Sequence, residues 1–399
     1  MKLIYIFNSK KANILNKVMK LQQVKISDKN QSEVIFSNSD FLASQANLVL
    51  VFGERVVLEA SMPYIQLKQL YPNAQIVICS TAGQISNDTI EAENVIVTAI
   101  AFEKTKIKVA EIDLLENNSI SALGKVIKKE LLSEDLKSLL VISEGSYVNG
   151  SELVNELEKQ TEFKIPIFGG LAGDDLNFKR TLVGFNADGS EGKIVVIGFY
   201  GDAIQLGYGC EGGWSDFGPE REVSVAENNI VYKIGDRFAL DLYKEYLGKY
   251  ADDLPGSALY FPLSMKENKH SLPVVRTILS IDENRKSMTF AGNVPQGSFV
   301  RLMKGNVDKL IDASYSATMD SFSSHSKKPK LALVVSCVGR KVVLGNRIEE
   351  EFESVKEASG NETLICGFYS YGEIAPVVNK DKTCELHNQT IAVLTIMEE

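Results

Sequence analysis

Two carboxylates stand side by side, Asp174 and Asp175, at the end of the string GGLAGDD, and a third, Glu373, lies in YSYGEIAP. Such groups hold an ammonium, or work in pairs as acid and base at separations that a sequence does not supply. Arg340, in SCVGRKVVLG, is the complementary group, because a planar guanidinium grips a carboxylate through two parallel hydrogen bonds. Hydroxyls and glycines accompany them. Ser80, Thr81 and Gly83 lie in CSTAGQI, Gly169 and Gly170 open GGLAGDD, and Tyr371 and Gly372 precede Glu373. Glycine admits close backbone approach, so these turns read as the lining of a small-ligand site, with Asp174 or Asp175 available to an ammonium and Tyr371 as a partial lid. Plainer uses compete: a carboxylate can cap its own turn, and Arg340 can pair with Glu349 or Glu350 on the surface.

Thiol chemistry is the other candidate. Cys337 or Cys384 could serve as a nucleophile if a base lay within reach, and Cys337, Cys366, Cys384 and His387 could together bind zinc. No Cys-x-x-Cys spacing occurs, and Cys79 and Cys366 close apolar runs where a small hydrophobe packs well. We expect structural cysteines, no metal and no cofactor. GYGCEG, at 207–212, matches the dinucleotide pattern G-x-G-x-x-G, but GWSDFGPE follows it, and no helix starts there to face a pyrophosphate.

Three segments of one plan must position these residues. NLVLVFG leads through a helical stretch from Val56 to Leu70 into QIVICS; SLLVISEG leads through SELVNELEKQ into IPIFGG; LALVVSCVG leads through NRIEEEFESVKEA into TLICGF. The flanking runs are β-branched and almost continuously apolar, whereas the middle parts space apolar residues by three and four, as at Ile348, Phe352 and Val355. Strand, crossover helix and parallel strand follow, and the turns around Thr81, Ala172 and Tyr371 should occupy equivalent places at strand ends, where open α/β sheets collect ligands. Antiparallel material lies between: a hairpin signal at Asp188–Gly189 in TLVGFNADGSEGKIVVIGFY and another around Asp282 to Arg285. The expected fold class is α/β, with mixed sheets, helices packed on them and two domains, 1–225 and 226–399. A helix from about Val307 to Phe322 and the polar loop SFSSHSKKPK belong to the second domain.

The chain has 399 residues, 44% of them hydrophobic, and a formal charge of −9. That composition supports full cores, and the acidic balance without a basic stripe argues against nucleic acid. MKLIYIFNSKK is too short in its apolar part for a signal peptide and reads as a first strand. No apolar run approaches a membrane span, and five cysteines without regular spacing suit a reducing, cytoplasmic compartment.

From about Leu48 to Ile396 the chain resembles the FIST sensory family. The resemblance rests on CSTAGQI, GGLAGDD, GWSDFGPEREVSVAENNIVYKIGDRFALDLYKEYLG, SCVGRKVVLG, CGFYSYGEIAP and HNQT; Gln84 stands where the family pattern has glutamate. It implies an N-terminal and a C-terminal FIST domain, a signal-input role rather than enzymatic turnover, and small-molecule ligands such as amino acids. It also implies a signalling protein as partner, since no output domain follows the second half. An α-amino acid would then find its cation in Arg340 and its acid in Glu373, Asp174 or Asp175. A cysteine-dependent enzyme and an interaction scaffold are the alternatives.

Overall fold

The computed structural model describes residues 18–27, 31–117, 119–377 and 384–399. Each strand-helix-strand segment forms the centre of its own six-stranded sheet. Leu48–Gly53 pairs in parallel with Gln75–Ser80, Leu136–Ser143 with Ile167–Leu171, and Leu331–Cys337 with Leu364–Ser370. Alongside the first strand of each pair runs an antiparallel one: Val95–Ala101, Lys193–Tyr200 and Ile391–Glu398 respectively. Strands buried on both faces need apolar residues at every position, which is why these runs do not alternate.

Beyond the second parallel strand, each sheet receives a short antiparallel strand from a different repeat. Gln84–Ile85, after the first repeat, joins the third sheet through Phe368 opposite Gln84; Val183–Phe185, after the second, joins the first sheet through Val183 opposite Cys79; Gly372–Pro376, after the third, joins the second sheet through Gly170 opposite Glu373. The exchange is cyclic, and it locks the three repeats into one body. Their inner faces share a core in which Phe52, Phe168 and Phe368 are fully buried, with Phe52 and Phe368 at 4.8 Å between ring centroids. Burial of each such ring contributes about 1.5–3 kcal/mol. Helices cover the outer faces: Leu58 and Leu67 on the first sheet, Leu123, Ile127, Leu153 and Leu157 on the second, Ala317 and Val355 on the third.

A second unit is inserted. All eight strands of the fourth sheet come from between Ser215 and Lys304, and they enclose a separate core around Val231, Leu240, Met288 and Phe290. The strand Ser215–Glu227 begins this sheet, so the expected division at 225/226 falls inside a strand, and the third repeat packs with the first two.

Local details differ from expectation for physical reasons. The helical stretch from Val56 to Leu70 is two helices, Arg55–Ser61 and Tyr64–Leu70. Pro63 cannot donate into a continuing helix and disfavours helical geometry at Met62, which takes a left-handed φ of 42°. The Asp188–Gly189 turn forms, with Val183 and Ser190 exchanging backbone hydrogen bonds at 3.0 Å, but its two strands then enter different sheets. The hairpin around Asp282 to Arg285 is present as Ile278–Asp282 paired with Ser287–Phe290, and the helix Val307–Phe322 lies where the periodicity places it. In GYGCEG the glycines serve packing. Gly207 and Gly209 lie in the strand Ile204–Glu211 under that helix, and a Cβ on them would stand 1.8 Å from the Ser321 carbonyl oxygen and 1.9 Å from that of Ala317. The strand expected in MKLIYIFNSKK lies outside the described residues.

Candidate functional site

The terminal turns of the three repeats meet. Ser80 Oγ donates to the Gly173 carbonyl at 2.8 Å, Gly173 N donates back to the Ser80 carbonyl, Ala82 N reaches the Tyr369 carbonyl, and Tyr371 N reaches that of Leu171. Tyr371 clamps the junction with its hydroxyl, which accepts from Asp174 N at 2.9 Å and Phe178 N at 3.1 Å and donates to the Asp175 carbonyl at 3.2 Å. Burial pushes this phenol well above its ordinary value.

The charges at the junction are spent on one another. Asp174 is buried and accepts from Arg55 Nε at 2.9 Å, while Asp175, with its side chain 48% exposed, pairs with Lys341 at 3.0 Å. Thr81 is buried and its hydroxyl accepts from Gly83 N. The glycines at the head of GGLAGDD admit neighbouring chain: a Cβ on Gly169 would meet the Val141 carbonyl oxygen at 1.9 Å, and one on Gly170 would meet Val335 Cγ1 at 2.6 Å.

The remaining candidates stand apart from this junction. Arg340 is fully buried, not on the surface beside Glu349 or Glu350. It pairs with Glu351 at 2.8 Å and donates to the Gly212 and Leu310 carbonyls and to Ser314 Oγ, while Glu351 also accepts from Ser336 and Tyr369 hydroxyls. Glu373 is buried beside the buried Gly372, accepts from Ser370 and Thr390 hydroxyls and hydrogen-bonds Cys337; burial raises its carboxyl to about 7. The cysteines are free and held protonated by burial, which pushes Cys210 and Cys366 up to about 12 and Cys79, Cys337 and Cys384 further. Among the described residues no group of three or more His, Cys, Asp or Glu is arranged to hold a metal, so Cys337, Cys366, Cys384 and His387 do not assemble into a zinc site. Burial lowers His387 to about 4, with Arg276 adding repulsion.

A cavity of about 610 Å³ opens between the three-sheet body and the inserted unit. One wall is the loop Gly145–Asn149 with Leu171, Phe178 and Tyr371; the other consists of Asn229, Pro255, Gly256, Leu259, Ile278, Leu279, Phe290 and Ala291. Of the residues expected to bind ligand, only Tyr371 lines it. The loop follows the first strand of the second repeat, at its carboxyl end, and a buried acid shapes it: Glu144 accepts from Ser146 N at 2.6 Å, Tyr147 N at 2.7 Å and Thr181 Oγ1 at 2.6 Å. Asn149 caps the helix Gly150–Gln160 by accepting from Ser151 N and Glu152 N, and its amide reaches across to Asn293 Oδ1 at 2.9 Å, tying the two walls together. Phe178 is held over the cavity by the Tyr371 hydroxyl and stacks on that ring, with centroids 4.7 Å apart.

Fold and cavity define a mixed α/β protein whose three-sheet body and inserted antiparallel unit enclose a recess between them. The family model of the FIST N domain matches residues 47–237 and that of the FIST C domain residues 239–376, and the chain belongs to the FIST family. No curated protein matches the chain with significance. Among the described residues, no helix is long and apolar enough to cross a membrane.

Proposed function

We propose that this protein is a signal-input module that recognises a small organic molecule in the cavity between its two units. It passes the resulting change in their packing to a separate signalling protein, in the cytoplasm and without catalytic turnover. The association of FIST domains with sensing supports the role. The cavity carries the reading. At about 610 Å³ it has the size of a small-molecule site, and ligand sites favour the seam between packed units, where an occupant touches both. An amino acid at the turn junction would have to displace the Asp175–Lys341 and Arg55–Asp174 pairs, and Arg340 is committed to the core. The enzyme reading loses support from thiols that burial keeps protonated.

A thermal-shift screen of the wild type and Gly256→Trp against small metabolites tests the proposal. Gly256 lines the cavity, and a Cβ there meets nothing within 4 Å, so the indole has room to enter without displacing backbone. A ligand at a hundredfold excess over its dissociation constant adds about 2.7 kcal/mol and raises the melting temperature by a few degrees. The proposal requires hits on the wild type that vanish in Gly256→Trp. A screen with no hits leaves an interaction scaffold.

A further inference from the structure

We infer that the cavity takes an uncharged, flat aromatic molecule, gripped by rings and by neutral hydrogen bonds, rather than an amino acid or another ion. The inference rests on the reading that the cavity is the ligand site, and it names the class of ligand.

None of the side chains lining the cavity is an acid, a lysine, an arginine or a histidine. Of the buried acids beside the lining residues, Glu144 faces the loop's own amides and Asp174 is paired with Arg55. An ion entering this space would give up its water and meet no fixed counter-charge, a cost that grows steeply with the charge buried. Four aromatic rings line the walls instead, those of Tyr147, Phe178, Phe290 and Tyr371, and the Phe178–Tyr371 pair lies within 20° of parallel, a surface on which a further flat ring can pack.

The polar groups on offer are few and neutral. Tyr371 has both acceptor positions and its proton in use, and Tyr147 donates to Glu191. Asn229 spends its amide nitrogen on the Phe290 carbonyl, and among the described residues no hydrogen bond is made by its Oδ1 or by Ser146 Oγ. One carbonyl acceptor and one hydroxyl complement an aromatic molecule bearing an N–H or O–H donor.

Indole and L-tryptophan separate the alternatives, because they share the ring and differ by the zwitterion. Calorimetric titration of the full chain should detect indole binding, with L-tryptophan weaker by on the order of 100-fold, as expected when two charges are desolvated without partners. Gly256→Trp should weaken indole at least about tenfold; Phe178→Ala, at a half-exposed position, serves if that variant does not fold. L-tryptophan binding as tightly as indole, with both lost in Gly256→Trp, would overturn the ligand class and leave the site standing. Binding of neither compound would overturn the ligand class and leave the site to the wider screen; indole binding indifferent to Gly256→Trp and Phe178→Ala would overturn both.

Discussion

Tyr371→Phe isolates the clamp between the third repeat's turn and the second. The substitution keeps the ring, and with it the stacking on Phe178, but removes the oxygen that accepts from Asp174 N and Phe178 N and donates to the Asp175 carbonyl. A hydrogen bond of this kind contributes about 0.5–1.5 kcal/mol net, and the turn is open enough for water to replace part of the loss, so the variant should be less stable by about 1–3 kcal/mol. The effect should concentrate in one place. Asp175 and Phe178 both hold left-handed backbone, with φ of 46° and 52°, which surrounding contacts must maintain. Urea unfolding gives the stability change, and hydrogen exchange gives its location: the amides of Asp174 and Phe178 should exchange at least about tenfold faster while those of Leu48–Gly53 do not change. Unaltered exchange at both amides would refute the clamp.

Three further outcomes follow from the geometry. Arg340→Met strands the Glu351 carboxylate in the core and should cost about 3–5 kcal/mol in urea unfolding, yet binding of a screening hit, measured well below the melting temperature, should change less than about twofold. Gly209→Ala pushes a Cβ against the Ala317 carbonyl oxygen at 1.9 Å, and the required shift of the helix Val307–Phe322 should cost about 3 kcal/mol, read as a lowered melting temperature. Glu373 has a folded-state pKa raised from 4.5 to about 7, so the folded state binds the extra proton; its contribution is complete below pH 4.5 and is lost as the pH rises through 7, by about 3 kcal/mol at most. Glu373→Gln should flatten that decline when unfolding is compared at pH 5 and 7.5. His387, lowered from 6.5 to about 4, acts oppositely, losing stability as the pH falls from 6.5 towards 4, and is common to both proteins.

The repeated units were legible because strands buried on both faces are written as unbroken apolar runs, and helices as three- and four-residue spacings. The equivalent places of the three terminal turns were legible from their common position after the second strand; that these turns meet was not, because the contacts between them cross from one sheet to another. The strand exchange was not. Gln84–Ile85 and Val183–Phe185 have two and three residues, and their partners are chosen by a sheet formed elsewhere in the chain. Arg340 misled for a related reason: arginine is rarely buried, and the carbonyls that receive it, on Gly212 and Leu310, lie 128 and 30 residues away. Half of the cavity-lining residues come from the inserted unit, which no local pattern links to the loop Gly145–Asn149. That loop did carry a signal, since SEGSYVNG ends a parallel strand and sets an asparagine before a helix.

The central claim is that a ligand bridges the three-sheet body and the inserted unit. Hydrogen exchange of the full chain, with and without the strongest hit of the thermal-shift screen at saturation, tests it most directly. Slowed exchange should appear together on both walls, over 145–149 and 176–178 on one side and 255–259 and 278–291 on the other. Protection confined to a single unit, or gathered around Arg340 and Glu351, would contradict the claim.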